Sequence, residues 1–192
     1  MTITLANLSQ QIATIAMLTQ QNLPTLGIIL LILWCVLLLD TIMQHRLCIL
    51  GIIPRHWYGL PGIIFAPFLH ANATHLFFNC IPLLVLSDFL LFYGMHYFIS
   101  VSVQIGIISG FCIWCFAKPG IHIGASAIIT GYWALLVYNS YYEHSIISII
   151  LGIICIYYFI GIFYSVFPQK KGISWEGHLF GLIAGIIVGL IG

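Results

Sequence analysis

Charged residues are scarce along this chain. Only 5% of its 192 residues are Asp, Glu, Lys or Arg, while 62% are hydrophobic and the mean hydropathy is +1.15. Because a soluble domain carries about 25% charged residues, this composition excludes an ordinary water-soluble fold. The apolar runs are long and continuous, which also excludes a membrane β-barrel with its period-two strands. The sequence therefore predicts an all-α, polytopic protein embedded in a lipid bilayer.

Basic patches, paired cysteines and metal motifs are also missing. The net charge of +1 leaves no basic surface for nucleic acid. The six cysteines lie mostly within apolar runs and show neither a disulfide framework nor metal-ligand spacing. Cys112 and Cys115 form a C-x-x-C pair, but inside an apolar run and without a second pair. We therefore expect no metal and no cofactor.

The first 24 residues contain no Lys or Arg, which excludes a secretory signal peptide. We expect residues 1–24 to form a polar lead-in, either interfacial or disordered, that ends where Pro24 precedes the first apolar run. Residues 25–192 then form a single membrane domain, with no internal repeat.

Six apolar runs are long enough to cross a membrane. They cover residues 26–43, 75–93, 95–117, 125–142, 145–167 and 176–192. Very short connections make spans 2 and 3, and spans 4 and 5, antiparallel neighbours. The long connection 44–74 is rich in proline and aromatic residues, and is predicted to pack as a loop partly embedded in the membrane.

Polar side chains recur at the starts of spans 2, 4 and 6, which alternation places on one side of the membrane. His75 and Asn79 begin span 2, Ser126 begins span 4 and His178 begins span 6. Polar groups in hydrocarbon are costly and usually functional. Ser126 alone would be interpreted as a helix cap. Because His178 is predicted at the same depth in the membrane as Ser126, the two together instead favour a nucleophile, Ser126, with a general base, His178.

Small residues predict how these two spans meet. Ala127 lies on the face of span 4 that also carries Gly131 and Ala134. In span 6, glycine recurs every four residues: Gly177, Gly181, Gly185 and Gly189. Such faces allow close helix packing in membranes, which would bring Ser126 towards His178.

Donors for an oxyanion are available nearby. His75 and Asn79 share one helix face, and the Ser126 N–H at a helix start can join them. Gly124 keeps bulk away from the hydroxyl, and His70 is a candidate to orient His75 or the loop. The alternative for His75 and Asn79 is a polar pair that holds helices together.

No carboxylate fits as a third member of a triad. Asp40 and Asp88 lie far along their spans from the site, and Glu143 lies in the opposite loop. Glu176 precedes His178 by two residues, so it points elsewhere on the helix. The residues therefore indicate a Ser–His dyad, one variant of this chemistry.

Three segments together resemble the rhomboid intramembrane serine proteases: HANATHLFFN at 70–79, GAS at 124–126 and GHLFG at 177–181. The resemblance covers about residues 26–192. It implies a six-span bundle whose first loop is embedded in the membrane. It also implies that the protein cleaves transmembrane protein substrates without a cofactor. It further implies Ser126 as nucleophile and His178 as base, and an oxyanion hole of His75, Asn79 and the Ser126 N–H. Gly124 would belong to the oxyanion and substrate-binding residues, and His70 and Gly181 would support the site.

The chain departs from that family at several positions. Ala127 follows the serine where many rhomboids have glycine, and Thr130 stands where an aromatic residue is common. Tyr132 and Trp133 are the nearest aromatic substitutes, although they point in other directions. The first loop carries Arg55-His56-Trp57, a loose counterpart of the family's Trp-Arg pair.

Two arguments give opposite orientations in the membrane. All five basic residues fall in loops on the side of the candidate site, which the positive-inside rule would place in the cytoplasm. Family members usually open the site away from the cytoplasm. We expect the family orientation, in a bacterial inner membrane. The alternative function is a catalytically silent rhomboid-like protein that binds transmembrane segments. Nothing in the sequence indicates the substrate or the oligomeric state.

Overall fold

The computed structural model describes residues 5–143, 145–167 and 175–192, with side chains from Ser9 onward. Within these ranges the chain is mostly helical, and no element is a β-strand. The α-helices are α1 Leu5–Ile42, α2 Gly62–Phe65, α3 Ala73–Leu91, α4 Met95–Phe116, α5 Ser126–Tyr142, α6 Ile146–Tyr164 and α7 Trp175–Ile191.

Helices α1, α3, α4 and α6 are long and apolar enough to cross a membrane, and α7 is apolar but shorter. The predicted all-α membrane fold is therefore confirmed. Apart from the first, the predicted spans begin and end within three residues of the helices α3 to α7.

Helix α1 differs from the prediction for the first 24 residues. It begins at Leu5 and continues through Pro24, so the disordered alternative was wrong for residues 5–24, and Pro24 does not mark the start of a helix. At 1.5 Å per residue its 38 residues extend about 57 Å, well beyond a hydrocarbon core of about 30 Å. The proposed division into a lead-in and a domain beginning at residue 25 stays a prediction.

The N-terminal half of α1 is held by a buried carboxylate on α3. Asp88 is only 6% exposed. Its Oδ2 accepts a hydrogen bond from Thr19 Oγ1 at 2.6 Å, and its Oδ1 accepts one from Asn22 Nδ2 at 2.8 Å. These bonds join residues almost 70 positions apart, which explains why a local pattern did not reveal a helix here.

Helix α5 is the centre of the bundle. It packs most extensively on α7 and also contacts α3, α4 and α6, and most of its side chains are buried. The α5–α7 contact is made through small residues. A Cβ added at Gly181 would overlap the carbonyl of Ala127, and one at Gly185 would overlap the carbonyl of Gly131. The predicted packing of the two small-residue faces is thus present.

Short helical turns make up half of the connection between α1 and α3. They are Arg46–Leu50, Trp57–Gly59, α2 and Ala66–Phe68. The loop exposes large apolar side chains, with Trp57 80% and Ile64 66% exposed. Aromatic side chains such as Trp57 suit a membrane interface. Their exposure here is consistent with the predicted embedding of this loop in the membrane.

Candidate active site

The segment before α5 is fixed by the first loop. Ile52 and His122 exchange backbone hydrogen bonds of 3.0 and 2.9 Å, and the Gly124 N–H donates to the carbonyl of Ala66 at 2.9 Å. Helix α5 then begins at Ser126. Because the first N–H groups of a helix lack intrahelical partners, the Ser126 N–H is available to a ligand at this position.

Gly124 brings the start of α5 against α3. Its φ of +116° suits glycine, and a Cβ placed there would lie 3.2 Å from His75 Nε2 and 3.7 Å from Asn79 Nδ2. The imidazole and the amide therefore both lie at the turn that leads into Ser126. The structure brings together these predicted oxyanion donors, although it does not test their role.

The start of α3 is capped at the backbone of His75. Helix α3 begins after Asn72, whose side chain accepts a hydrogen bond from the His75 N–H at 2.8 Å. In the described part of the chain, Asn79 Nδ2 is buried without a hydrogen-bond partner. A buried unpaired donor is unusual and needs an explanation. An oxyanion that forms transiently beside it would provide one.

His178 is oriented by a backbone carbonyl. Its Nδ1 lies 3.0 Å from the oxygen of Ser165, at the end of α6. Since a carbonyl only accepts, the Nδ1 carries the proton in the neutral ring, and Nε2 is left with a free lone pair. The sequence analysis did not identify Ser165, because a backbone acceptor leaves no trace in residue types.

The α5–α7 contact joins the two helices that carry the predicted catalytic residues near their starts. Gly181, one turn after His178, packs on the backbone of Ala127, which follows Ser126. No hydrogen bond joins the hydroxyl of Ser126 to His178 in the structure as described. Catalytic hydrogen bonds are often long before substrate binds. The packing of α7 on α5 is therefore the observation that bears on whether the two residues can meet.

His70 lies behind His75. The two rings form an edge-to-face contact with centroids 5.2 Å apart. Burial, and then the neighbouring His75, lowers the pKa of His70 to about 4, and the Phe68 backbone opposes this only partly. His70 is therefore neutral at physiological pH and adds no charge to the site. Its contact supports the predicted role in orienting His75.

The carboxylates that were excluded from the site lie elsewhere. Asp40 lies near the end of α1 beside His45, and Asp88 accepts hydrogen bonds from Thr19 and Asn22 on α1. Glu176 lies 3.9 Å from Lys118 Nζ. Within the described residues, the position that a triad gives to a carboxylate is taken by the Ser165 carbonyl.

A small cavity of about 40 Å³ adjoins the start of α5. Ser126, Ala127, Gly124 and Gly177 are among its lining residues. A water needs roughly 10–15 Å³ by a comparable measure, so the cavity can hold water next to the serine. Ala127, which stands where many rhomboids have glycine, is therefore a lining residue of this cavity.

The structure also shows the hydrogen-bond partners of the other residues that depart from the family pattern. Thr130 Oγ1 donates to the Ser126 carbonyl at 2.5 Å. Tyr132 pairs with Ser102, and Trp133 donates to the Cys155 carbonyl, so the structure shows neither ring in place of the missing aromatic residue. Arg55 anchors the first loop by donating to the Ala117 carbonyl at 2.7 Å.

A protein-family model described as "Rhomboid domain" matches residues 54–192 of this chain. The chain belongs to the rhomboid family. This match includes every residue of the candidate site. The rhomboid is also 36% identical over 165 residues to "Uncharacterized protein Rv1337" of Mycobacterium tuberculosis, covering 81% of this chain and 69% of that protein. It is 36% identical over 166 residues to "Uncharacterized protein ML1171" of Mycobacterium leprae, covering 81% and 65%.

Proposed function

We propose that this rhomboid is an intramembrane serine endopeptidase that cleaves transmembrane-helix substrates through Ser126 and His178. The observation that carries this proposal is the hydrogen bond between His178 Nδ1 and the Ser165 carbonyl. It leaves Nε2 as a base, on a helix whose backbone touches the residue after Ser126.

The proposed first step forms an acyl-enzyme. Ser126 Oγ attacks the scissile carbonyl carbon while its proton passes to His178 Nε2. The negative oxygen of the tetrahedral intermediate accepts hydrogen bonds from the Ser126 N–H, Asn79 Nδ2 and His75. The C–N bond then breaks, and the proton on Nε2 moves to the leaving nitrogen.

The second step is hydrolysis of the ester. A water attacks the acyl carbon and gives a proton to His178 Nε2. The C–O bond to Ser126 then breaks, and Nε2 returns that proton to Ser126 Oγ, which regenerates the enzyme. The cavity beside Ser126 offers room for such a water. All bonds and protons balance without a metal or redox cofactor.

Cleavage of a model transmembrane substrate in liposomes tests this proposal. We expect Ser126→Ala and His178→Ala each to lower the rate by at least about 1,000-fold, since residues of such a unit act together. Ser165→Ala is the matched control: it keeps the carbonyl that accepts from His178, so it should cleave at close to the wild-type rate. Wild-type cleavage by Ser126→Ala would end the proposal.

A catalytically silent, helix-binding rhomboid is the second candidate. Ala127, which lines the cavity beside Ser126 where many rhomboids have glycine, favours it. Ala127→Gly separates the two candidate functions, because it removes the methyl group from the residue that follows Ser126. A protease should cleave at an equal or higher rate with this variant, whereas a silent protein should cleave with neither form.

We also propose that the site opens on the extracytoplasmic side of a bacterial inner membrane, as in the family. Arg46, Arg55 and Lys118 lie in loops on the site side, and Lys170 and Lys171 lie outside the described residues. Reporter fusions before residue 1 and after residue 192 test this orientation. A reporter that places the loop of Lys170 in the cytoplasm would contradict it.

A further inference from the structure

A cluster of metal-ligating side chains at the end of α1 takes no part in the proposed reaction. Asp40 is only 1% exposed. Its Oδ2 lies 3.0 Å from Nδ1 of His45 and 3.3 Å from Sγ of Cys48. Its Oδ1 accepts a hydrogen bond from the Leu47 N–H at 2.8 Å. One buried carboxylate therefore gathers an imidazole and a thiol at a single point.

A turn after α1 produces this arrangement. Gln44 and His45 both adopt left-handed backbone conformations, with φ of 56° and 62°. The chain thereby reverses, and the short turn that starts at Arg46 carries Cys48 back over Asp40. The spacing of the three ligands, five and three residues, matches no regular helix face. This explains why the sequence analysis expected no metal site.

The donor set suits zinc. The three potential ligand atoms all lie within 4.8 Å of one another. Zn²⁺ binds N, O and S donors at about 2.0–2.3 Å, so tetrahedral ligands stand roughly 3.2–3.8 Å apart. The distances of 3.0 and 3.3 Å from Asp40 Oδ2 to the other two ligand atoms need only small side-chain movements to match. Calcium and magnesium are disfavoured, because they prefer oxygen ligands throughout.

Charge balance also favours a divalent ion. A carboxylate and a thiolate together neutralise Zn²⁺, which lowers the cost of placing the ion at the end of a membrane helix. The side chain of His45 is 53% exposed, so the site is open to solvent.

We propose that Asp40, His45 and Cys48 form a Zn²⁺ site whose fourth ligand is water. On binding, the Cys48 thiol releases its proton to solvent, and the thiolate sulfur bonds to the metal. The proton on His45 Nδ1, which now donates to the carboxylate, also leaves, and the neutral ring carries its proton on Nε2 instead, so that Nδ1 can bind the ion. The hydrogen bonds that Cys48 and His45 now make to the carboxylate are replaced by bonds to the ion.

The site would tie α1 to the segment that leads to the serine. Cys48 precedes Ile52 by four residues, and Ile52 pairs through its backbone with His122 in the loop before α5. A metal here would therefore fix the first part of the loop relative to α1. The inference does not depend on the proposed protease activity, because its test measures metal binding.

Zinc titration of the untagged full chain in detergent tests the proposal. After treatment with a chelator, the wild-type protein should bind one Zn²⁺ in competition with a zinc-sensitive dye. Cys48→Ser and His45→Asn should each weaken binding by at least about tenfold, since even indirect partners of a metal contribute this much. Serine can still donate to Asp40, and asparagine tolerates the left-handed backbone, so both variants preserve the turn.

Two controls use the remaining cysteines. Cys35→Ser, elsewhere on α1, and the double variant Cys112→Ser with Cys115→Ser should bind zinc as the wild type does. Cobalt provides an independent signal: the wild type loaded with Co²⁺ should show thiolate-to-metal charge-transfer absorption that Cys48→Ser lacks. If either ligand variant fails to fold, the wild-type cobalt spectrum and the cysteine controls decide. No zinc binding by the wild type, undiminished binding in both ligand variants, or loss of the signal in the Cys112/Cys115 variant would overturn the proposal.

Discussion

Two helix contacts in this molecule are held together by opposite means. Between α5 and α7, glycines bring the backbones into contact, and Gly181 lies directly against the Ala127 carbonyl. Between α1 and α3, the side chains of Thr19 and Asn22 donate hydrogen bonds to Asp88. The first contact has no space for a methyl group, whereas the second depends on polar atoms at the ends of side chains.

The difference shows where precision is needed. The α5–α7 contact carries Ser126 on one helix and His178 on the other, so a small shift between the helices would separate the proposed nucleophile from its proposed base. Productive catalytic geometry tolerates little displacement. The hydrogen bonds to Asp88 lie at the opposite end of α3 from His75, and they involve no predicted catalytic group.

The largest effect should come from Gly181→Ala. Its new Cβ would overlap the Ala127 carbonyl, and overpacking against backbone should cost about 3 kcal/mol or more. We expect a lower thermal midpoint and loss of substrate cleavage.

Gly27→Ala is the matched control on α1, where an added Cβ has nothing within 4 Å. It should leave stability unchanged or raise it slightly, because alanine favours helix over glycine. Equal thermal midpoints for the Gly181 and Gly27 variants would contradict the account of the α5–α7 contact.

A smaller effect is expected for Asp88→Asn. The amide keeps one acceptor but turns a donor towards the other partner, so at least one buried hydrogen bond is lost, at a cost of about 1–3 kcal/mol. Thermal unfolding should report this loss while the cleavage rate per folded molecule stays near that of the wild type. A collapse of activity in folded Asp88→Asn protein would show that the α1–α3 contact also positions the site.

The smallest effect is expected for Thr19→Val. It removes one hydrogen bond to Asp88 and keeps the side-chain volume, so it should cost about 1 kcal/mol. The same thermal assay measures it. A cost that exceeds that of Asp88→Asn would indicate that the Thr19 hydroxyl has a role beyond this bond.

The features that followed from the sequence are those with a regular local signal. Apolar runs located α3 to α7 because hydrocarbon must be crossed by helices of a fixed length. The four-residue glycine repeat identified the face of α7 that meets α5, because it leaves the backbone uncovered along one stripe.

The features that the sequence did not reveal depend on distant or backbone partners. The start of α1 is polar, and the helix contacts Asp88, almost 70 residues away. The partner of His178 is a carbonyl, which every residue possesses. The cluster around Asp40 requires two left-handed residues in succession, and neither Gln44 nor His45 signals that conformation.

The most direct test of the central claim is covalent labelling with a serine-reactive phosphonate, located by peptide mass spectrometry. We predict that the folded wild type is labelled on Ser126 alone and that His178→Ala abolishes the label. Ser165→Ala, which keeps the backbone carbonyl, should be labelled at the wild-type rate. An unlabelled wild type, a label on another serine, or an undiminished Ser126 label in His178→Ala would contradict a Ser126–His178 dyad.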